Sequence, residues 1–290
     1  MAIVESTMSF LQPWDGKKGN PYVRGAPAEG FETLNYSNQE YEVKITDARP
    51  NKGEYTIDTH GFAYHDDPYI DEAILEVLRT NDKAEVSDKY YPMVERLVKE
   101  KTGATKVVVF DHTLRRRQPA LAKTDNPNGK EQPASLVHCD QSPVGAIRRV
   151  HRHLGQDADR LLQGRAQIIN IPADEFAISV WRPLRGPVEE WPLATMDGRS
   201  LHNDNVHPTN IFKHQYDLQG QTVSISHSPE QCWYYLKHQN TNEVTFIKIW
   251  DSKEDVESKL CAHCAFPDPD SPKNAALRES MEVRCIVFYE

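Results

Sequence analysis

The 290-residue sequence has few cysteines and no long apolar run, and both absences limit what the protein can be. Its five cysteines are an odd, sparse set for this length, which argues against a disulfide scaffold and favours a reducing compartment. No stretch approaches the roughly 18 apolar residues that a membrane span needs, and residues 1–15 lack the basic and apolar regions of a signal peptide. We therefore expect a cytoplasmic protein without a membrane partner.

Positive charge is also in deficit, since 34 lysines and arginines stand against 43 aspartates and glutamates, a formal net charge of −9. An acidic protein repels phosphate groups, so we expect no nucleic-acid partner. Hydrophobic residues make up 38% and charged residues 27%, which allows a sizeable core beneath a solvated surface. The length suits one domain, residues 1–290, built as a barrel or sandwich with added helices.

The sequence has no internal repeat, no βαβ alternation and no glycine-rich phosphate loop. We divide it into an extended N-terminal arm at 1–60, helices with the first core strands at 61–165, and a mainly β part at 166–290. Short strands separated by turns predict an α+β fold with a jelly-roll core, a double-stranded β-helix, and buttressing helices. The predicted elements are helices at 71–80, 86–102 and within 143–162, a polar loop at 113–130, and strands at 106–110, 167–171, 176–181, 222–226, 232–236, 244–250 and 282–289.

A candidate metal site begins with His138 and Asp140, which are two residues apart. On a strand such residues point to the same side, so one imidazole and one carboxylate would face a common point. His263, on a distant strand, would complete a facial triad of two histidines and one carboxylate, which leaves three coordination sites open. This ligand set is typical of non-haem iron(II) oxygenases.

A second His-x-Asp pattern, His202 and Asp204, competes with this assignment. Its flanks are rich in Asn, Asp, Gly and Pro, which indicates a polar surface loop whose side chains are less well positioned. The pattern alone therefore favours the His138 pair.

The last predicted strand offers a carboxylate-binding pair. Arg278 lies fifteen residues after His263, and it shares a strand face with Ser280. A guanidinium fork with a neighbouring hydroxyl suits the distal carboxylate of 2-oxoglutarate, whose other end would chelate the iron. Arg284 lies on the same face and is the alternative anchor.

Several stretches of the chain resemble a known family. They are residues 107–113 (VVVFDHT), 115–116 (RR), 137–142 (VHCDQS), 181–184 (WRPL), 187–188 (PV), 191–194 (WPLA), 233–235 (WYY), 243–244 (EV), 251–252 (DS) and 278–284 (RESMEVR). Over roughly residues 30–290 the chain is similar to the fungal hydroxylase/desaturase family of natural-product biosynthesis. That family includes the aspergillic-acid-pathway type and gibberellin desaturase-like enzymes, and is distantly similar to the cephem methoxylation protein.

The resemblance implies an Fe(II)- and 2-oxoglutarate-dependent oxygenase that uses O2 to hydroxylate or desaturate a small secondary metabolite. It also favours His138 and Asp140 over the competing pair. One departure is that residues 171–179 intervene where the family runs directly from one strand into the next. This insertion would reshape one wall of the pocket or shift the register of a core strand.

Four further residues are candidates for substrate binding. His112 and Arg115 follow a buried strand, where they would either bind a substrate carboxylate or cap the strand in solvent. Arg182 could aim its guanidinium into the barrel, and Tyr235 would belong to the core or the pocket wall. Lys248 is either an edge lysine or an inward polar contact, and the sequence does not decide between them.

Two other functions remain open at this stage. One is a cupin-like metalloenzyme with the same triad but no 2-oxoglutarate, and the other is a non-catalytic binding or partner subunit of the same fold. The sequence does not determine the substrate, the position oxidised, the choice between hydroxylation and desaturation, or the oligomeric state, for which a homo-oligomer is one alternative.

Overall fold

The structure is a computed structural model that describes residues 2–25, 29–120, 132–163, 165–169, 178–214 and 216–289, without the side chains at 149, 165–169 and 178–179. Most of the insertion at 171–179 therefore lies outside the described residues. Among those described, no helix has the length and apolar character needed to cross a membrane.

The described residues form mostly strands, with five α-helices. The helices are α1 Glu72–Thr80, α2 Lys83–Lys89, α3 Tyr91–Thr102, α4 Pro143–Leu154 and α5 Ala158–Leu161. The strands are β1 Ile3–Leu11, β2 Tyr22–Arg24, β3 Asn38–Asp47, β4 Phe62–Asp66, β5 Lys106–Arg116, β6 His138–Cys139, β7 Arg165–Ile169, β8 Ile178–Pro183, β9 Leu193–Met196, β10 Val206–Phe212, β11 Leu218–Ile225, β12 Trp233–Tyr235, β13 Glu243–Ile247, β14 Trp250–Asp251, β15 His263–Ala265 and β16 Glu279–Tyr289.

The strands form two sheets. The larger sheet has the order β1-β3-β12-β9-β15-β6-β11-β10-β2, and the smaller has the order β14-β7-β16-β8-β13-β4. In the smaller sheet the long strand β16 pairs with β5 along one edge and with β8 and then β7 along the other. Two sheets with helical additions agree with the mostly β, jelly-roll type of fold that the strand pattern predicted.

The N-terminal segment is part of the larger sheet. Strands β1 and β3 pair antiparallel over nine residue pairs, and β1 is bridged to residues 136 and 226. The sheet thus curls around a second core that contains Met8, Phe10, Ile45, Trp233 and Phe266. The sequence predicts an extended N-terminal arm at residues 1–60, and in the structure strands β1, β2 and β3 of this segment lie in the larger sheet.

Helices α1–α3 contribute to the main core, together with side chains from the smaller sheet. The Asp71 side chain accepts a hydrogen bond from the backbone N–H of Ile74 and caps α1, while Gly103 ends α3 in the left-handed conformation at φ 73°. The single helix predicted at 86–102 is interrupted at Tyr90. Pro92, in the first turn of α3, explains the interruption because it has no N–H to continue the earlier helix.

Strand β5 is longer than predicted, because residues 113–116 extend it where a loop was expected. The polar residues that suggested a loop alternate along the strand, and Asp111, Thr113 and Arg115 bond to groups of β16 or to the backbone carbonyl of Gln132. The rest of the predicted loop, at 121–130, lies outside the described residues. A charged strand face was misread as solvent-exposed because the sequence does not show its partners.

Candidate metal centre

Two neighbouring strands bring the proposed ligands together. β6 and β15 are antiparallel, and His138 lies directly opposite His263. Their ring centroids are 4.6 Å apart, with a 49° angle between the rings. One strand pairing thus brings together two histidines that are 125 residues apart in sequence.

Both imidazoles are oriented by the backbone. Nδ1 of His138 lies 2.7 Å from the carbonyl oxygen of Leu136, and Nδ1 of His263 lies 3.2 Å from that of Cys261. A ring nitrogen that donates to a carbonyl leaves the other nitrogen, Nε2, as the metal ligand, and it also fixes the orientation of the ring.

Asp140 supplies the carboxylate. Its Oδ1 is 3.1 Å from Nε2 of His138, and its Oδ2 is 3.9 Å from Nε2 of His263. The side chain is buried, yet Oδ2 has no hydrogen-bond partner. The three ligand atoms lie within 4.8 Å of one another, in the one such group of at least three residues found in the described part of the chain. A buried carboxylate oxygen without a partner, facing two Nε2 atoms, fits a divalent metal ion such as iron(II).

The two histidines differ in their electrostatics. Burial is the largest single influence and lowers the pKa of His138, but the hydrogen bond and charge of Asp140, together with the hydrogen bond to Leu136, outweigh burial and the net pKa is raised. For His263, burial and the neighbouring His138 lower the pKa. The carboxylate therefore attracts positive charge to this point, which is the requirement for binding a cation.

A pocket is lined by the two histidines and by Arg278. The other residues that line it are Arg115, Ala134, Trp181, Leu193, Ile247, Cys264, Ala265 and Glu282. Arg278 is 4% exposed, and its Nη1 donates to the carbonyl oxygen of Trp191 at 2.5 Å. Its Nε lies 3.4 Å from Oγ of Ser280, and the guanidinium lies 5.0 Å from the ring centroid of Trp181.

Arg278 has no salt bridge to any carboxylate of the described residues, although it is buried. Burial and the neighbouring Arg115 lower its pKa to about 9, which shows how unfavourable the charge is without an anion. The indole Nε1 of Trp181 is also buried and has no hydrogen-bond partner. The pocket therefore offers the positive charge of Arg278 and the unpaired N–H of Trp181 to an anionic group.

Arg284, the alternative anchor, is already neutralised. It is fully buried, with Nη1 3.0 Å from Oδ2 of Asp111 and Nη2 3.5 Å from Oε2 of Glu282. Its Nη1 also donates to Oγ1 of Thr113 at 2.7 Å. It does not line the pocket.

Of the four candidate substrate-binding residues, the structure brings only Arg115 to the metal pocket. There it pairs with Glu282, Nε to Oε2, at 3.5 Å. Arg182 lies on the opposite face from the pocket-lining Trp181, where Nε donates to the hydroxyl of Tyr90 at 2.7 Å and the guanidinium forms an ion pair with Asp67.

The other two candidates also lie away from the pocket. His112 is buried near α3, with Nδ1 2.9 Å from the hydroxyl of Tyr91. Tyr235 packs in the second core, with its ring 5.3 Å from that of Phe266. Lys248 is resolved as an inward contact, since its Nζ lies 2.7 Å from Oδ2 of Asp251 and donates to the carbonyl oxygen of Ser258 at 3.0 Å.

The competing pair is on the surface. His202 forms an ion pair with Glu230 at 2.8 Å, with both side chains more than half exposed, and Asp204 is exposed in a short 3-10 helix. The surface-loop interpretation of residues 202–204 agrees with this placement.

Two residues that line the pocket, Glu282 and Trp181, were not predicted as site residues from the sequence. Glu282 could have been found, because it shares a strand face with Arg278, Ser280 and Arg284. Trp181 was quoted only for the resemblance, and nothing in its local pattern indicates that it would lie over Arg278.

Comparison with known proteins agrees with this geometry. A family described as "Oxidoreductase/YMDC permease-like domain" matches residues 8–288. The chain is 40% identical to the Fe(II)/2-oxoglutarate-dependent dioxygenase nvfI of Aspergillus novofumigatus, over 98% of its own length and 96% of the relative's. It is 30% identical to the hydroxylase/desaturase efuI of Hormonema carpetanum, over 90% of its own length and 87% of the relative's.

A solved structure shares the fold as well. The iron and alpha-ketoglutarate-dependent endoperoxidase NvfI superimposes with a TM-score of 0.87 at 38% identity, covering 99% of this chain and 98% of that one. Likeness at this identity and coverage extends over both sheets and the metal-binding strands. The chain therefore belongs to the Fe(II)/2-oxoglutarate-dependent oxygenases, in the group that contains the fungal hydroxylase/desaturases.

Proposed function

We propose that this protein uses O2 and 2-oxoglutarate to oxidise an unactivated C–H position of a small secondary metabolite. The observation that carries the proposal is the convergence of His138, Asp140 and His263 beside a pocket lined by Arg278, a buried arginine that has no salt bridge to a carboxylate of the described residues. The relatives named above support the same chemistry.

The ligand set is proposed to be Nε2 of both histidines and the carboxylate of Asp140. Iron bound there would couple the oxidative decarboxylation of 2-oxoglutarate to the activation of O2 for attack on the substrate. The protein contributes ring orientation through the two backbone carbonyls, and it holds the ligands on adjacent strands. The two sheets would form the double-stranded β-helix that carries such sites.

Arg278 is proposed to bind the distal carboxylate of 2-oxoglutarate. Its guanidinium is buried, has no carboxylate partner among the described residues and lies beside the Ser280 hydroxyl. The unpaired indole N–H of Trp181 would supply a further donor. The apolar side chains of Leu193 and Ile247 would line the methylene part of the co-substrate.

The proposed carboxylate site at Arg278 argues against a metalloenzyme that does not use a 2-oxo acid. Such an enzyme has no need of a buried cation at the end of a pocket that starts at the metal. A non-catalytic subunit would have no need of three ligand atoms held within 4.8 Å.

The outcome of oxidation is proposed to be hydroxylation or desaturation, as in the hydroxylase/desaturase relatives. The relative named as an endoperoxidase adds a third outcome, the formation of an endoperoxide. We propose that the reaction takes place in the cytoplasm, within a single domain comprising residues 1–290.

Anaerobic titration with Fe(II) and 2-oxoglutarate tests the proposal directly. The metal-bound 2-oxo acid should give a weak visible charge-transfer band, and admission of O2 should then release succinate in proportion to the O2 consumed. Metal binding without the band would favour the enzyme that does not use a 2-oxo acid, and no metal binding would favour the non-catalytic subunit.

A further inference from the structure

A second cavity lies near the metal centre and is not used by the functions assigned so far. Its volume is about 540 Å³, within the range that holds a small-molecule ligand. Its apolar lining comes from Pro143, Leu201, Val206, Trp250 and Leu260. We refer to this cavity as the chamber.

The chamber and the 2-oxoglutarate pocket lie at opposite ends of the metal-binding strands. Ala134 lines the pocket and precedes His138, whereas Pro143 lines the chamber and follows Asp140 by three residues. On the antiparallel neighbour, Leu260 lines the chamber and precedes His263 by three residues, whereas Ala265 lines the pocket.

Two more strands repeat this arrangement. Leu193 at the start of β9 lines the pocket, and Gly198 just after its end lines the chamber. In the smaller sheet Ile247 lines the pocket and Trp250 the chamber. Three residues of extended chain span no more than about 10 Å, so the chamber reaches close to the metal ligands.

Charge is distributed unevenly between the two cavities. Arg115 and Arg278 both line the 2-oxoglutarate pocket. The chamber instead carries Asp251, Glu254 and Glu257 against Lys259. Asp251 is ion-paired with Lys248 at 2.7 Å, and Glu257 lies 3.8 Å from Arg199. The sequence left open whether Arg115 binds a substrate carboxylate or caps a strand, and in the structure Arg115 lines the 2-oxoglutarate pocket and not the chamber.

We propose that the chamber binds the substrate, and that this substrate is a largely apolar metabolite with neutral or basic polar groups and no acid group. The inference rests on the proposed function, because it requires a metal and 2-oxoglutarate in the neighbouring pocket. An apolar ring system would pack against Leu201, Val206 and Trp250, and hydroxyl or amine groups would donate hydrogen bonds to the two glutamates.

Three probes that share one apolar cage test which charge the chamber accepts. They are the neutral 1-adamantanemethanol, the basic 1-adamantanemethylamine and the acidic 1-adamantanecarboxylate. The full chain would be loaded with Mn(II), which accepts the same nitrogen and oxygen ligands, and with saturating 2-oxoglutarate. Proton relaxation of each probe then reports its distance from the metal. We expect the alcohol and the amine to be relaxed from within about 12 Å, a length of three to four residues.

The carboxylate should bind more weakly than the alcohol, on the order of fivefold, because of the glutamates at the chamber. Glu257→Lys, a change at an exposed position, should remove this discrimination against the carboxylate. Leu201→Trp should abolish the relaxation of all probes while Mn(II) affinity is unchanged. Leu218→Trp, in a groove beside α4 that does not line the chamber, is the matched control and should have no effect.

The inference is overturned if the carboxylate binds as tightly as the alcohol, if no probe is relaxed, or if Leu218→Trp but not Leu201→Trp abolishes relaxation. The charge-transfer band of Fe(II) with 2-oxoglutarate, recorded without probe, distinguishes failure of this inference from failure of the proposed function. A normal band with any of these results rejects the chamber as the substrate site and leaves the oxygenase function standing, whereas a missing band rejects both.

Discussion

At the scale of single residues, spacing was a reliable guide wherever the chemistry depends on a local geometry. His138 and Asp140 face one point because they are two residues apart at a strand end, and that relation can be deduced from the sequence. Whether each arginine forms a salt bridge could not be deduced from spacing. Arg278, just before β16, and Arg284, within it, lie on the same face of the chain. Yet Arg278 has no salt bridge to a described carboxylate, whereas Arg284 is ion-paired with Asp111 and Glu282.

Asp140→Ala should abolish iron binding and turnover. Loss of a partner outside the ligand sphere of a metal site costs 10–100-fold, so loss of a ligand should cost more than about 100-fold in affinity for Fe(II). Titration by the charge-transfer band and an assay of succinate provide the measurements. His202→Ala, at the exposed competing position, should behave as the wild type, and the opposite pattern would contradict the assigned triad.

Arg278→Gln should raise the KM for 2-oxoglutarate by roughly 30-fold or more, because truncating a buried charged partner costs about 2 kcal/mol or more. The thermal midpoint should change little, since Arg278 carries no salt bridge to a described carboxylate. Steady-state kinetics with varied 2-oxoglutarate measure the effect. An unaltered KM would return Arg284 to consideration as the anchor.

Arg284→Met is the matched substitution and should act on stability instead. It removes the cation from Asp111, which is partly exposed, and leaves Glu282 paired with Arg115, which should cost about 1–3 kcal/mol in the free energy of unfolding. Urea denaturation measures this cost. A variant that keeps full stability but loses affinity for 2-oxoglutarate would reverse the roles assigned to the two arginines.

At the scale of elements, helices and apolar strands were predictable because each is encoded by its own periodicity and end signals. The strands that the sequence did not predict are those whose faces are polar or whose partner strands are distant in sequence. The part of β5 at 113–116 is an example, since it has no run of apolar residues alternating with polar ones. Its conformation is decided by pairing with β16.

Strand β13 is tied to the N-terminal segment by a charged contact. Glu243, its first residue, receives hydrogen bonds from Lys52 at 2.7 Å and from Arg49. Burial by itself would raise the pKa of the Glu243 carboxyl, but the two cations outweigh burial and lower that pKa to about 2. The stabilisation is therefore complete above pH 4.5, the ordinary value, and is lost as the pH falls towards 2.

Glu243→Gln should accordingly lower the free energy of unfolding by about 2–3 kcal/mol at pH 7, after allowance for the partial exposure of Arg49. The difference from the wild type should shrink towards zero near pH 2. Urea denaturation at a series of pH values gives the comparison. A difference that stays constant from pH 7 to pH 2.5 would show that the carboxylate is not held by these cations.

At the scale of the whole molecule, the metal-binding strands belong to the larger sheet that also encloses the second core. Phe10 lies in that core, fully buried and edge-to-face with Trp233 at 6.0 Å. Phe10→Ala should reduce the free energy of unfolding by about 3–5 kcal/mol, the usual cost of emptying an aromatic site. Chemical denaturation measures it, and a change below 1 kcal/mol would mean that β1 is not needed to close the sheet.

The sequence by itself determined the ligand types, their local geometry on β6, the helices and the overall preference for strands. These follow from side-chain chemistry and from periodicities of two and 3.6 residues, which act over a few neighbours. Only the tertiary structure decided that His263 lies opposite His138 and that β1 and β3 join the sheet. It also decided that Arg278 has no salt bridge within the described part of the chain, whereas Arg182 is paired with Asp67. Each of these depends on which distant residues become neighbours, because burial and pairing, rather than residue type, set the energy of a charge or a strand edge.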